Sequence, residues 1–176
     1  MDEHRLGLKP ILGKVWGLTG QRPVARVEHR FEWLYLYAFV CPQSGQNQFW
    51  VFPEVNTVAF GCALKAFAQG VGAGKDKHIL LVLDGAGWHV AKQLKIPEGI
   101  SLLILPPHSP ELQPAEHLWS LTDIPLVNQH FLTLEHLQNT LEPHLAQLET
   151  QTERIRSLTH FHWWPHTTIR IFPESV

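Results

Sequence analysis

The spacing of apolar positions changes several times along this chain, and each change marks an expected element. Trp33 to Val40 reads Trp-Leu-Tyr-Leu-Tyr-Ala-Phe-Val, and Gln48 to Phe52 repeats that aromatic and β-branched character after Pro42 and Ser44-Gly45. Runs of this kind separated by turn residues predict strands joined by a hairpin. Val24 to Arg30 reads as one more strand, so residues 2–60 are expected to be extended, with an antiparallel meander of two or three strands. Val58, Leu64, Phe67 and Ala68 then fall near helical spacing. They predict a helix from an N-cap at Asn56 or Thr57 to about Gln69, ended by Gly70, Gly72 and Gly74.

Beyond the glycines the pattern changes again. His78 to Leu83 is an apolar run ending at Asp84, as expected of a strand buried on both faces. A short helix is expected around Val90 to Leu94, and Ser101 to Leu105 reads as a second buried strand closed by Pro106-Pro107. Pro114 suits the first turn of a helix over Ala115 to Leu121. Leu134, Leu137, Leu141, Leu145 and Leu148 form the apolar stripe of a later helix, which Pro143 is expected to kink or split. The last twenty residues, with Trp163, Trp164 and Pro165, carry no readable pattern. The order of meander, helix, strand, helix, strand, helix predicts an α/β fold with a mixed sheet and helices on both faces. With no repeat or clear linker, residues 1–150 are expected to form one domain and 151–176 an unassigned tail.

Composition narrows the function classes. The chain has 176 residues, 44% hydrophobic and 17% charged, which suits a folded globule with a sizeable core. No apolar run approaches the roughly 18 residues a membrane span needs, and Met1 to Arg5 lacks the apolar stretch of a signal peptide. A cytoplasmic protein is the expectation. Cys41 and Cys62 are too few and too far apart for a disulfide framework or thiolate zinc site, and are expected to be small buried apolar residues. The net charge of −2 counts against autonomous tight DNA binding. It leaves room for a DNA-processing site, because clustered carboxylates lower the net charge while bound cations restore the local field.

The candidate chemistry lies in carboxylates. Asp84 follows a strand, where ligand-binding groups of open α/β sheets gather, and its flank Gly85-Ala86-Gly87-Trp88-His89 begins with small residues. A plain Asp-Gly turn explains it equally well. Glu116 lies in the first turn of the Pro114 helix, where the macrodipole alone favours an acid, although Gln113 is a poor N-cap for a capping box. Asp2 and Glu3 would ordinarily be solvated at a frayed terminus, and in a strand they point to opposite faces. Of the twelve histidines, His89, His108 and His117 flank these carboxylates, but none forms the close pair of a zinc hydrolase.

Two linked blocks resolve the choice. Leu83-Asp84-Gly85-Ala86-Gly87-Trp88-His89 and Leu105 to Trp119, with Ser109-Pro110-Glu111-Leu112-Gln113-Pro114-Ala115-Glu116, resemble the signature of bacterial insertion-sequence transposases related to mariner elements. Asp2-Glu3, with Gly7-Leu8, Trp16, Gly20 and Pro23, resembles the family's first catalytic block. The resemblance implies an RNase H-like fold, N-terminally incomplete here, with Asp2, Asp84 and Glu116 as catalytic triad and ligands of two Mg²⁺ or Mn²⁺ ions. Asp84 would bridge both ions, and His89 and His117 would touch phosphate or orient a ligand. It implies DNA as substrate, cleaved at transposon inverted repeats and joined to target at TA sites, by a homodimer guided by an upstream helix-turn-helix. Gln113 stands where the family has Asn, a change of amide expected to be tolerated. With only Met1 before it, Asp2 is expected to be poorly anchored and the lone chain weakly active or inactive. The alternative is a non-catalytic fragment that binds and inhibits full-length transposase. Another RNase H-like nuclease, such as a resolvase, is disfavoured by the second block.

Overall fold

Alternation along the first strands sorts their side chains onto two faces, and a separate set of helices covers each. A computed structural model describes residues 1–27 and 30–161. The strands β1 (Asp2–Gly7), β2 (Trp33–Val40) and β3 (Asn47–Phe52) form an antiparallel ladder in the order β1-β2-β3. Asp2 lies opposite Ala38, and Glu3 opposite Tyr37. The strands β4 (Ile79–Leu83) and β5 (Ile100–Ile104) pair in parallel. The two ladders meet at Met1, whose ammonium donates to the Val82 carbonyl at 2.7 Å.

Tyr37 and Phe39 face α1 (Thr57–Val71), packing with Phe60, Leu64 and Phe67. Leu81 and Leu83 of β4 and Ile100 of β5 join the same cluster, so α1 spans both ladders. Asn56 caps this helix by accepting from the Ala59 N–H, and Gly72 closes it in the left-handed conformation. On the opposite face Leu6, Leu34 and Leu36 pack against Leu137, Leu141 and Leu145 of α3 (Leu134–Thr150). Beside them a 3-10 helix (Pro114–Leu118), continued by the single α-turn α2 (Trp119–Thr122), rests on β2 through Ala38, Ala115 and Leu118. Ile155 of α4 (Thr152–Thr159) completes that cluster, so the segment after residue 150 contributes to the core. Gly45 makes this possible: it turns the β2–β3 hairpin with a positive φ of 73°, and a side chain there would collide with the Thr152 carbonyl.

Several expectations are corrected. Residues 24–27 and 30 form no strand, because β1 pairs directly with β2 and leaves Val24 and Val27 no partner. Turns replace the helix around Val90 to Leu94: a single turn cut off by Pro97 cannot repay helix nucleation. Strands β4 and β5 are covered on one face by α1, while Leu80 and Leu103 of the other face are about half exposed. Pro143 neither splits nor ends α3. Its ring points outward while Leu141 and Leu145 keep the helix docked. Both cysteines are free and exposed. Trp163, Trp164 and Pro165 lie outside the described residues. Among the described residues, no helix is long and apolar enough to cross a membrane.

Leu141→Ala is expected to cost about 2–5 kcal/mol of stability, since Leu141 is fully buried. Pro143→Ala should instead restore a helical hydrogen bond and stabilise by up to about 3 kcal/mol. Urea unfolding of the two variants checks both signs.

Candidate active site

The site is assembled where β1 enters the sheet. Met1 is buried, and besides its bond to Val82 its carbonyl accepts from the Gln113 side-chain amide at 2.6 Å. Gln113 itself is buried just ahead of the 3-10 helix, and it ties that helix to the strand. Its amide therefore does structural work as a strand clamp, where the sequence suggested only a tolerated replacement. Asp2, expected to be poorly anchored, instead continues a paired strand whose first residue is held from two sides. Burial lowers the Met1 ammonium pKa to about 6, against the opposing pull of Asp2, Glu3 and Asp84.

Cross-strand partners share a face, so Asp2 points with Ala38 toward the 3-10 helix and Glu3 points with Tyr37 toward α1. The small side chains Ala38 and Ala115, both fully buried, let the 3-10 helix settle close to β2. That contact brings Glu116 within electrostatic reach of Asp2. Burial pushes the Asp2 carboxyl up to about 6, with the charges of Glu3 and Glu116 adding to the rise and a backbone N–H at Glu3 opposing it. The charge of Glu116 thus acts on Asp2.

Asp84 lies past the end of β4, and its side chain is 58% exposed. One of its oxygens, Oδ1, accepts from the Ala86 N–H at 3.1 Å and lies 2.8 Å from His89 Nδ1. The other ring nitrogen of His89 lies 2.8 Å from Glu3 Oε1. A neutral imidazole would aim an unprotonated nitrogen at one of these carboxylates, so the geometry calls for a proton on both. Burial works to lower the His89 pKa, but the bond and charge of Glu3, followed by Asp84, outweigh it and raise the pKa. His89 is buried, with its ring 4.5 Å from that of Phe60. His117 is exposed and lies apart from this chain. With Pro110, Glu111, Glu116 and Ser120 it lines an open hollow of about 330 Å³, and its ring packs edge-on against Phe161. Trp119 stacks on His4 at 4.8 Å.

Asp2, Asp84 and Glu116 offer only carboxylate oxygens, a donor set suited to hard divalent cations. A cation would also relieve the crowding of Asp2 by Glu116. The side chains have to close on such an ion, because among the described residues no three His, Cys, Asp or Glu side chains are grouped to hold one as they stand. Sequence reasoning set Glu3 aside, taking the Asp of the Asp-Glu pair as the functional member. Strand alternation was the available signal, since it places Glu3 on the face opposite Asp2.

The fold is that of an RNase H-like α/β domain, with Asp84 just past the end of β4. A family model described as DDE superfamily endonuclease matches residues 1–138. The chain belongs to that family. An uncharacterized protein, y4pE/y4sA, of Sinorhizobium fredii is 42% identical over 87 residues, which cover 49% of this chain and 63% of that protein. Among solved structures, a pre-cleavage Mos1 transpososome is similar with a TM-score of 0.59 at 14% identity, over 92% of this chain and 55% of the other. A Mos1 mariner paired-end complex with Mn gives 0.56 at 16%, over 92% and 55%. A Mos1 paired-end complex with the left transposon end gives 0.54 at 17%, over 89% and 53%. The chain therefore spans a little over half the length of these transposases and less than two thirds of its curated relative.

The raised Asp2 pKa fixes a pH dependence. A carboxyl raised from 3.8 to about 6 contributes stability in its neutral form, complete below about pH 4 and lost as the pH rises through about 6. In EDTA, Asp2→Asn is expected to melt close to the unaltered protein near pH 3.5, where the unfolded carboxyl is also largely protonated, and clearly above it at pH 8. Scanning calorimetry at the two pH values is the check, and a lower melting temperature at pH 8 contradicts the burial argument.

Proposed function

We propose that the chain is the catalytic part of a DDE transposase, in which Asp2, Asp84 and Glu116 hold two divalent cations, Mg²⁺ or Mn²⁺, against DNA. The single observation that carries this reading is that Met1, just before Asp2, bonds both to Val82, two residues before Asp84, and to Gln113, three residues before Glu116, so the three acid-bearing segments start from one point. When bound, a cation pair activates the attacking oxygen and stabilises the leaving oxygen of an in-line phosphoryl displacement. Asp84 keeps Oδ2 clear of its protein contacts, both of which fall on Oδ1, and would hold the cations together with Asp2 and Glu116. His117, in the open hollow beside Glu116, is positioned to meet a phosphate.

The substrate under this proposal is DNA: cleavage at transposon inverted repeats and transfer to target TA sites, by a homodimer with an upstream helix-turn-helix segment. The printed descriptions of the Mos1 structures, with a transposon end and with Mn, support this extension. A second reading has an observation of its own. The candidate ligands are not grouped for a metal as they stand, which suits a non-catalytic partner that binds and inhibits full-length transposase. Co-purification with full-length transposase, without metal-dependent cleavage, is its expected signature.

The test is nicking of a supercoiled plasmid carrying the element's ends in Mn²⁺. Asp84→Ala is expected to lose activity about 100-fold or more, as removal of a transition-state stabiliser does. Equal nicking by both proteins removes Asp84 from the mechanism.

A further inference from the structure

We propose that Glu3 and His89 are positioning residues for Asp84: Glu3 braces the imidazole, and the imidazole holds Asp84 Oδ1 so that Oδ2 is presented to a cation. This rests on the reading of Asp84 as a metal ligand. The contacts form one line from the interior to the surface. The Glu3 side chain is 7% exposed and His89 is 2% exposed, whereas the Asp84 side chain is 58% exposed. Glu3 is locked in β1 opposite Tyr37, and the His89 ring lies against Phe60 and Trp88. Nδ1 of that ring meets both Oδ1 and the backbone carbonyl of Asp84, at 2.8 and 3.1 Å. The ring thereby sets the carboxylate and its own backbone together.

Asp84 needs such a hold. It is followed by Gly85-Ala86-Gly87, whose backbone restrains it little, and it extends past the last paired residue of β4. Fold stability alone is a poor account of the arrangement. A buried charged chain commonly contributes no more than apolar residues of similar volume would, and the surroundings of His89 are already aromatic. A carboxylate–imidazole brace that orients a ligand is a known way to raise metal affinity, and its loss typically weakens binding about 10–100-fold.

Mn²⁺ alone, titrated into the full chain without DNA and followed by the electron paramagnetic resonance of the free ion, separates the possibilities. Glu3→Leu and His89→Phe are expected to bind Mn²⁺ about 10–100-fold more weakly. Glu3→Gln keeps an acceptor for the His89 Nε2–H and should recover most of the affinity. Circular dichroism and melting curves on the same samples restrict the comparison to folded protein. Undiminished Mn²⁺ affinity in folded Glu3→Leu and His89→Phe, even with lowered melting temperatures, overturns the positioning role. If Asp84→Asn still loses Mn²⁺ in that case, only the brace fails. If Asp84→Asn binds as tightly as the unaltered chain, the metal-ligand reading falls and takes the brace with it.

Discussion

The two ladders and the 3-10 helix depend on how the residue before β1 is held. Met1 gives its ammonium to Val82 and its carbonyl to Gln113, and its side chain lies in the core shared by α1 and both ladders. Polar groups removed from water must be paired or they destabilise the fold. These two bonds therefore fix the entry of β1 against both β4 and the 3-10 helix. Asp2 and Glu3 follow at once, at positions where a terminal segment would otherwise fray.

From that anchor, alternation does the sorting. Asp2 lies with Ala38 on the face of the 3-10 helix, and Glu3 meets His89 on the other. The two faces are stabilised differently. On the α1 side the opposite charges of Glu3, His89 and Asp84 satisfy one another. On the 3-10 side Asp2 is buried, and that burial, with the charges of Glu3 and Glu116 adding to it, raises its pKa to about 6.

Local chemistry was legible where it acts over a few residues. The Asn56 cap and Gly72 terminus of α1, the hairpin turn at Gly45 and the leucine stripe of α3 follow from short-range rules. Less legible were features that depend on a distant partner. Val24 to Val27 has strand composition but joins no ladder, and both valines stay exposed rather than packing on a core. The apolar run of β4 resembles a doubly buried strand, yet α1 covers one face only. Gln113 read as a neutral amide because its acceptor, the Met1 carbonyl, lies 112 positions away. Glu3 looked dispensable because its partner His89 is 86 positions distant.

By itself the sequence determined the elements, the family signature and the acidic chemistry on offer, because composition, periodicity and motif spacing are properties of neighbouring residues. Tertiary structure decided which carboxylates meet. Ala38 and Ala115 are small enough to pack the 3-10 helix closely on β2, which brings the charge of Glu116 to bear on Asp2. Asp84 reaches Glu3 only through a histidine buried under α1. Both pairings arise from the packing of remote segments, and no local pattern encodes the distance between them.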